Sequence, residues 1–100
     1  MDMEEARALL RKHLIPYREW TYDKLASLVG EEHVSEVTGD SGKRYFFQID
    51  VEYVNETDDT LWVEGYVTEV EGRRWLPPQV NASFGVTRQN QVVGDTLDKL

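Results

Sequence analysis

Lys43-Arg44-Tyr45-Phe46-Phe47-Gln48-Ile49-Asp50-Val51-Glu52-Tyr53-Val54 is the stretch on which the fold turns. Tyr45, Phe47, Ile49, Val51 and Tyr53 occupy every second position, and a period of two puts them on one face of a β-strand. Phe46, Gln48, Asp50 and Glu52 stand between them and form the opposite face. The segment Thr60 to Glu71 repeats the pattern, with Leu61, Val63, Gly65 and Val67 alternating with Trp62, Glu64 and Tyr66. Asn55 to Asp59 joins the two as the loop of a hairpin. Pairing Val54 with Thr60 sets Phe47 opposite Val67, Ile49 opposite Gly65, Val51 opposite Val63 and Tyr53 opposite Leu61, and all four pairs are packable. The same register sets Gln48 opposite Tyr66, Asp50 opposite Glu64 and Glu52 opposite Trp62.

Upstream of this hairpin, about Glu32 to Thr38 reads as another strand, and Gly39-Asp40-Ser41-Gly42 supplies the turn into Lys43. Downstream, Gly72-Arg73 fits a tight turn, and Pro77-Pro78 interrupts the chain where an edge would fall. Val80, Ala82, Phe84 and Val86 then alternate with Asn81, Ser83, Gly85 and Thr87. The strands thus run over about 32–38, 43–54, 60–71 and 79–87. Past Arg88 the alternation decays, so 88–100 is expected to be a partly disordered tail, with Val92, Val93 and Leu97 available as a short dock.

The N-terminal third has a different period. Met3, Ala6, Leu10 and Leu14 recur at three- and four-residue steps, with acids in the first turn and Arg11, Lys12 and His13 in the last, which predicts a helix over about 2–15. Pro16 stops it for want of an amide proton. Thr21 suits the cap of a second helix over about 22–29, Trp20 and Leu25 suit a hydrophobic staple, and Gly30 suits its C-terminal end. The expectation is a single α+β domain, 1–100, with two N-terminal helices packed on one face of a four-stranded antiparallel meander. The other face is left open.

One hundred residues support one domain, which buries somewhat over about 60% of its extended-chain surface. The absence of cysteine excludes a disulfide framework and a thiolate metal site, and the charged N-terminus does not fit a signal peptide. A cytoplasmic location follows as the expectation. No apolar run approaches the roughly 20 residues needed to cross a bilayer as a helix. The net charge of −8 is unevenly spread. Residues 1–30 balance five acids with five bases, residues 31–70 carry eleven acids against Lys43 and Arg44, and residues 71–100 carry three acids and four bases. An acidic middle repels nucleic-acid phosphates and anionic membranes and attracts cationic partners.

That acidity is concentrated on the outward face of the hairpin. Two carboxylates directly opposite each other repel, and Phe46, Trp62 and Tyr66 are more apolar than solvent requires. Aromatic groups ringed by carboxylates suit an incoming Arg or Lys. The candidate binding residues are therefore Phe46, Asp50, Glu52, Trp62, Glu64 and Tyr66. They point to a non-catalytic acidic protein-binding or accessory domain that meets a basic partner surface or a second copy of itself. The bland reading is that Trp62 and Tyr66 only brace a strand pair or pack under the C-terminal tail. An alternative is a small carboxylate-dependent hydrolase or isomerase using Asp50 and Glu64, since crowded carboxylates can retain a proton.

No motif names a substrate, cofactor or reaction. There is no phosphate-cradling glycine loop, no nucleophile motif and no metal-spaced histidine pair, so no cofactor and no metal are indicated. His13 reads as a solvated charge at a helix end, and His33 opens a strand beside Glu31 and Glu32. Lys43, Arg44, Arg73 and Arg74 form a small basic end of the sheet, too small to point to nucleic acid. Gln91-Val92-Val93-Gly94 is similar to the Gln-x-Val-x-Gly hairpin of cystatin protease inhibitors, but its glycine comes one residue early and it follows the last strand.

The segment Glu36-Val37-Thr38-Gly39-Asp40-Ser41-Gly42-Lys43-Arg44-Tyr45 resembles one found in small uncharacterised bacterial proteins. The resemblance covers about ten to twenty residues and implies a bacterial origin and the strand-turn-strand reading. It brings no activity and no site residues.

Overall fold

The computed structural model describes residues 2–54, 59–70 and 79–100. The fold is α+β: an N-terminal helical segment packs on one face of an antiparallel sheet. Helix α1 spans Met3–Leu14, with the Asp2 side chain accepting from the Glu5 amide as its N-cap. Ala6, Leu9, Leu10 and Leu14 are buried, while Met3 is exposed. Pro16 ends the α-helix as expected, but the chain continues as a 3-10 turn over Ile15–Glu19, where a proline near the start sacrifices no hydrogen bond. Helix α2, Tyr22–Ala26, is shorter than 22–29. Thr21 caps it by accepting from the Lys24 amide, and Leu25 is its buried residue.

The strands are β1 His33–Thr38, β2 Arg44–Tyr53, β3 Leu61–Glu69, β4 Gln79–Val86 and β5 Val92–Val93, in the spatial order β1-β2-β3-β4-β5. The meander therefore has five strands where four were expected. The tail over 88–100 is ordered, not partly disordered, and forms the short dock expected of Val92, Val93 and Leu97: it turns back at Thr87–Gln91, where the Thr87 amide donates to the Gln91 carbonyl at 3.0 Å. It then adds β5 to β4 and ends in a 3-10 turn over Leu97–Lys99 that buries Leu97 in the core. Arg18 holds this tail through Asp95, and the Tyr22 amide donates to the Asn90 side-chain oxygen at 2.7 Å. These partners lie 77 and 68 residues away along the chain, which is why no local pattern announces them.

The β2–β3 register is the one set by pairing Val54 with Thr60, including Asp50 opposite Glu64 and Tyr53 opposite Leu61. Tyr45, Phe47, Ile49, Val51, Leu61, Val63, Val67, Val80, Ala82, Phe84 and Val86 form the core face with the helix residues. Tyr53 departs from its assignment: at the strand end it is half exposed. Gly65 lies where α1 crosses the sheet, and a Cβ there would come within 3.0 Å of both Leu14 methyls and 3.2 Å of a Leu10 methyl. At the β1–β2 turn the Gly42 amide donates to the Gly39 carbonyl at 2.9 Å, and Gly42 takes φ 87°, a conformation glycine adopts without steric cost.

Glu5 of α1 braces this turn. Its carboxylate accepts from the Ser41 amide at 3.0 Å, the Ser41 hydroxyl at 2.6 Å and the Tyr45 hydroxyl at 2.9 Å. The expected loop Asn55–Asp59 and turn Gly72–Arg73, together with Pro77, Pro78 and the basic residues Arg73 and Arg74, fall wholly or mostly outside the described residues.

Candidate functional site

The sheet face away from the helices is built by strand alternation alone. Because the Val54 amide donates to the Thr60 carbonyl and the Val70 amide to the Arg44 carbonyl, the even-numbered residues of β2 form the hydrogen-bonded pairs with β3. Gln48–Tyr66, Asp50–Glu64 and Glu52–Trp62 thus lie in three successive rungs. β4 extends the rows, with Asn81 beside Tyr66, Ser83 beside Glu64 and Gly85 beside Trp62.

Five of the six candidate residues, Asp50, Glu52, Trp62, Glu64 and Tyr66, line one shallow depression of about 100 Å3. Phe46 lies apart from it, 41% exposed, in the row of Glu36 and Thr68. The aromatic pair is less open than the sequence implies, for Trp62 and Tyr66 are both half-buried. One cause is the tail: a methyl group on Gly94 would lie 3.3 Å from the Trp62 ring, so the turn after β5 packs against that indole. The bland reading thus holds for one edge of Trp62, while the tail leaves Glu52 and Phe46 exposed.

Neutral donors hold the carboxylates in place. The Gln48 side-chain amide reaches the two Asp50 oxygens at 3.2 and 3.3 Å, and the Asn81 amide donates to Glu64 at 3.1 Å. Burial, and then a hydrogen bond to Glu64, push the Tyr66 hydroxyl up to about 12, with the charges of Glu64, Asp50 and Glu52 acting in the same direction. Among the described residues, no Lys or Arg forms an ion pair with Asp50, Glu52 or Glu64, whereas Glu36, Asp59, Asp95 and Asp98 each have an arginine partner. The depression is therefore a net negative notch walled by two rings. It suits a cation: carboxylates attract the charge and ring faces accept it. No three His, Asp or Glu side chains are arranged to hold a metal ion among the described residues.

Sequence reasoning missed Asn81, whose role rests on the β3–β4 register. It also misjudged His13. That ring, in the last turn of α1, is half-buried: it lies 5.5 Å from the Phe47 ring, and burial, then Lys12, lower its pKa. His33 sits beside Glu31 as expected, with its Nε2 3.3 Å from the Glu31 carboxylate. Among the described residues, no helix is long and apolar enough to cross a membrane. Comparison with protein-family models, characterised proteins and solved structures finds no match to this chain.

Proposed function

We propose that this chain is a non-catalytic binding domain whose open sheet face takes a Lys or Arg side chain of a basic protein partner into the notch of Asp50, Glu52, Trp62, Glu64 and Tyr66. The observation that carries this reading is the set of three neighbouring carboxylates with no cationic partner among the described residues, beside two half-buried rings. A strand pair that needed only solvent cover gains nothing from opposed acids, which cost a few tenths to about 1 kcal/mol. An incoming cation removes that repulsion and adds charge-assisted hydrogen bonds. Two copies meeting through this face would oppose like charges, so the reading favours a basic partner over self-association here. A cytoplasmic bacterial setting belongs to the same proposal.

The alternative, a hydrolase or isomerase using Asp50 and Glu64, has less support. A depression of about 100 Å3 accommodates the end of one side chain, while small-molecule sites usually enclose about 300–1,000 Å3.

The test is titration of isotope-labelled protein with a short Lys/Arg-rich peptide, followed by nuclear magnetic resonance. Shifts concentrated at the Trp62 indole and at the Asp50 and Glu64 amides, and abolished in the Asp50→Asn, Glu64→Gln double variant, support the notch. Shifts spread evenly over the acidic surface, or equal affinity in the double variant, overturn it.

A further inference from the structure

The two edges of the sheet are finished differently. The β5 edge is two residues long and runs straight into the buried Leu97, whereas β1 presents six residues, four of them exposed, with no Pro, Lys or bulge to blunt pairing. The Gly39 amide donates to the Lys43 carbonyl, so the hydrogen-bonded pairs of the β1–β2 ladder are Val37–Tyr45, Ser35–Phe47 and His33–Ile49. Val34, Glu36 and Thr38 consequently direct their amides and carbonyls away from the sheet. Val34 is 53% exposed, and on the helix side of the same strand lies a groove of about 320 Å3 lined by Tyr17, His33, Ser35, Phe47 and Ile49 among others.

We infer that this edge pairs with the β1 edge of a second copy, antiparallel about a two-fold axis, joining two five-stranded sheets into one. The charge pattern selects this occupant. β1 is entered through Glu31 and Glu32 and left through the turn that carries Asp40 and Lys43, while Arg44 is held by Glu36 of the same copy at 3.2 Å. Antiparallel self-pairing lays Glu31 of each copy opposite Gly39 of the other, the residue that Lys43 pairs on its inner side, and the arrangement is self-complementary as a two-fold interface must be. With Ser35 on the axis, Val34 faces Glu36 of the second copy, so that no two carboxylates stand opposite. On the helix side Val37 of the second copy comes beside His33, at the mouth of the groove. Each dimer would then carry two acidic notches on one continuous face. The edge inference does not depend on what the notches bind.

The chain has no cysteine, so a single introduced thiol reports the geometry. Paired Ser35 residues would occupy a non-hydrogen-bonded position with Cα atoms about 4.5 Å apart, within disulfide range. Ser35→Cys is expected to form a disulfide-linked dimer under mild oxidation much faster than the exposed control Asp40→Cys. Sedimentation of the wild type is expected to give twice the 11.6 kDa chain mass, and Val34→Pro, which removes only an outward-facing amide, to give a folded monomer by circular dichroism. A wild type that stays at 11.6 kDa at high concentration overturns the inference. So does a dimer in which Ser35→Cys links no faster than Asp40→Cys, and that comparison holds even if Val34→Pro fails to fold.

Discussion

Asp50 and Glu64 face each other across the β2–β3 ladder, and each is held by a neutral amide, Gln48 for one and Asn81 for the other, instead of a cation. Replacing either carboxylate with its amide removes the cross-strand repulsion. Asp50→Asn or Glu64→Gln should therefore raise the stability of the isolated protein by a few tenths to about 1 kcal/mol in urea denaturation, and shrink the stabilisation that added salt gives the wild type. A loss of stability in both variants would mean that the Gln48 and Asn81 hydrogen bonds outweigh the repulsion.

The same notch sets the titration of Tyr66. Its hydroxyl is pushed up to about 12 from an ordinary 10, by burial first and by Glu64 next. Difference tyrosinate absorbance between wild type and Tyr66→Phe should show this group ionising near 12, and Glu64→Gln should bring it down towards 10. Because the folded value is raised, the associated stability is present below the unfolded value and is lost as pH rises from 10 towards 12.

Glu5 gives the acid-side counterpart. Its carboxyl is held below the ordinary 4.5 by the Ser41 hydroxyl first and the Ser41 amide next, with Tyr45 contributing. A depressed carboxyl contributes stability above its unfolded value and loses it as pH falls through the folded value. The urea midpoint should fall as pH drops below about 4.5, and Glu5→Gln should flatten that fall. An unchanged pH profile in the variant would remove Glu5 as a brace of the β1–β2 turn.

Leu97 tests the tail. It is buried to 1% exposure within the core, so Leu97→Ala should cost about 2–5 kcal/mol and speed hydrogen exchange from Val92 to Leu100. A cost typical of a surface residue would show the tail to be a loose appendage.

At Gly65 there is no room for a side chain. Gly65→Ala drives a methyl against Leu14 and Leu10 and should destabilise by about 1–3 kcal/mol, measured by denaturant midpoint. Adding Leu14→Ala makes space for that methyl, so the double variant should lose less than the sum of the two single losses.

The period of two in 43–54 and 60–71 was enough to assign both faces, because a strand's alternation is local and a one-residue slip would expose the whole core row, whereas the pairing of Asp50 with Glu64 rested on the loop closing Val54 on Thr60, since a shift by two keeps both faces. Five of the six candidate residues fell together for the same reason. Phe46 belongs to the right face but not to the notch, since face membership says nothing about position along the strand relative to β4.

By itself, then, the sequence determined the α+β class, the inward row and the acidic, aromatic character of the outward one, all consequences of backbone geometry repeating every two or 3.6 residues. The tertiary structure decided the rest: that Asn90 accepts from the first amide of α2, that Asp95 answers Arg18, that His13 packs beside Phe47 and that Asn81 reaches Glu64. Those contacts join residues far apart in the chain, and they are selected by how the whole molecule closes around its core, which no short window of residues encodes.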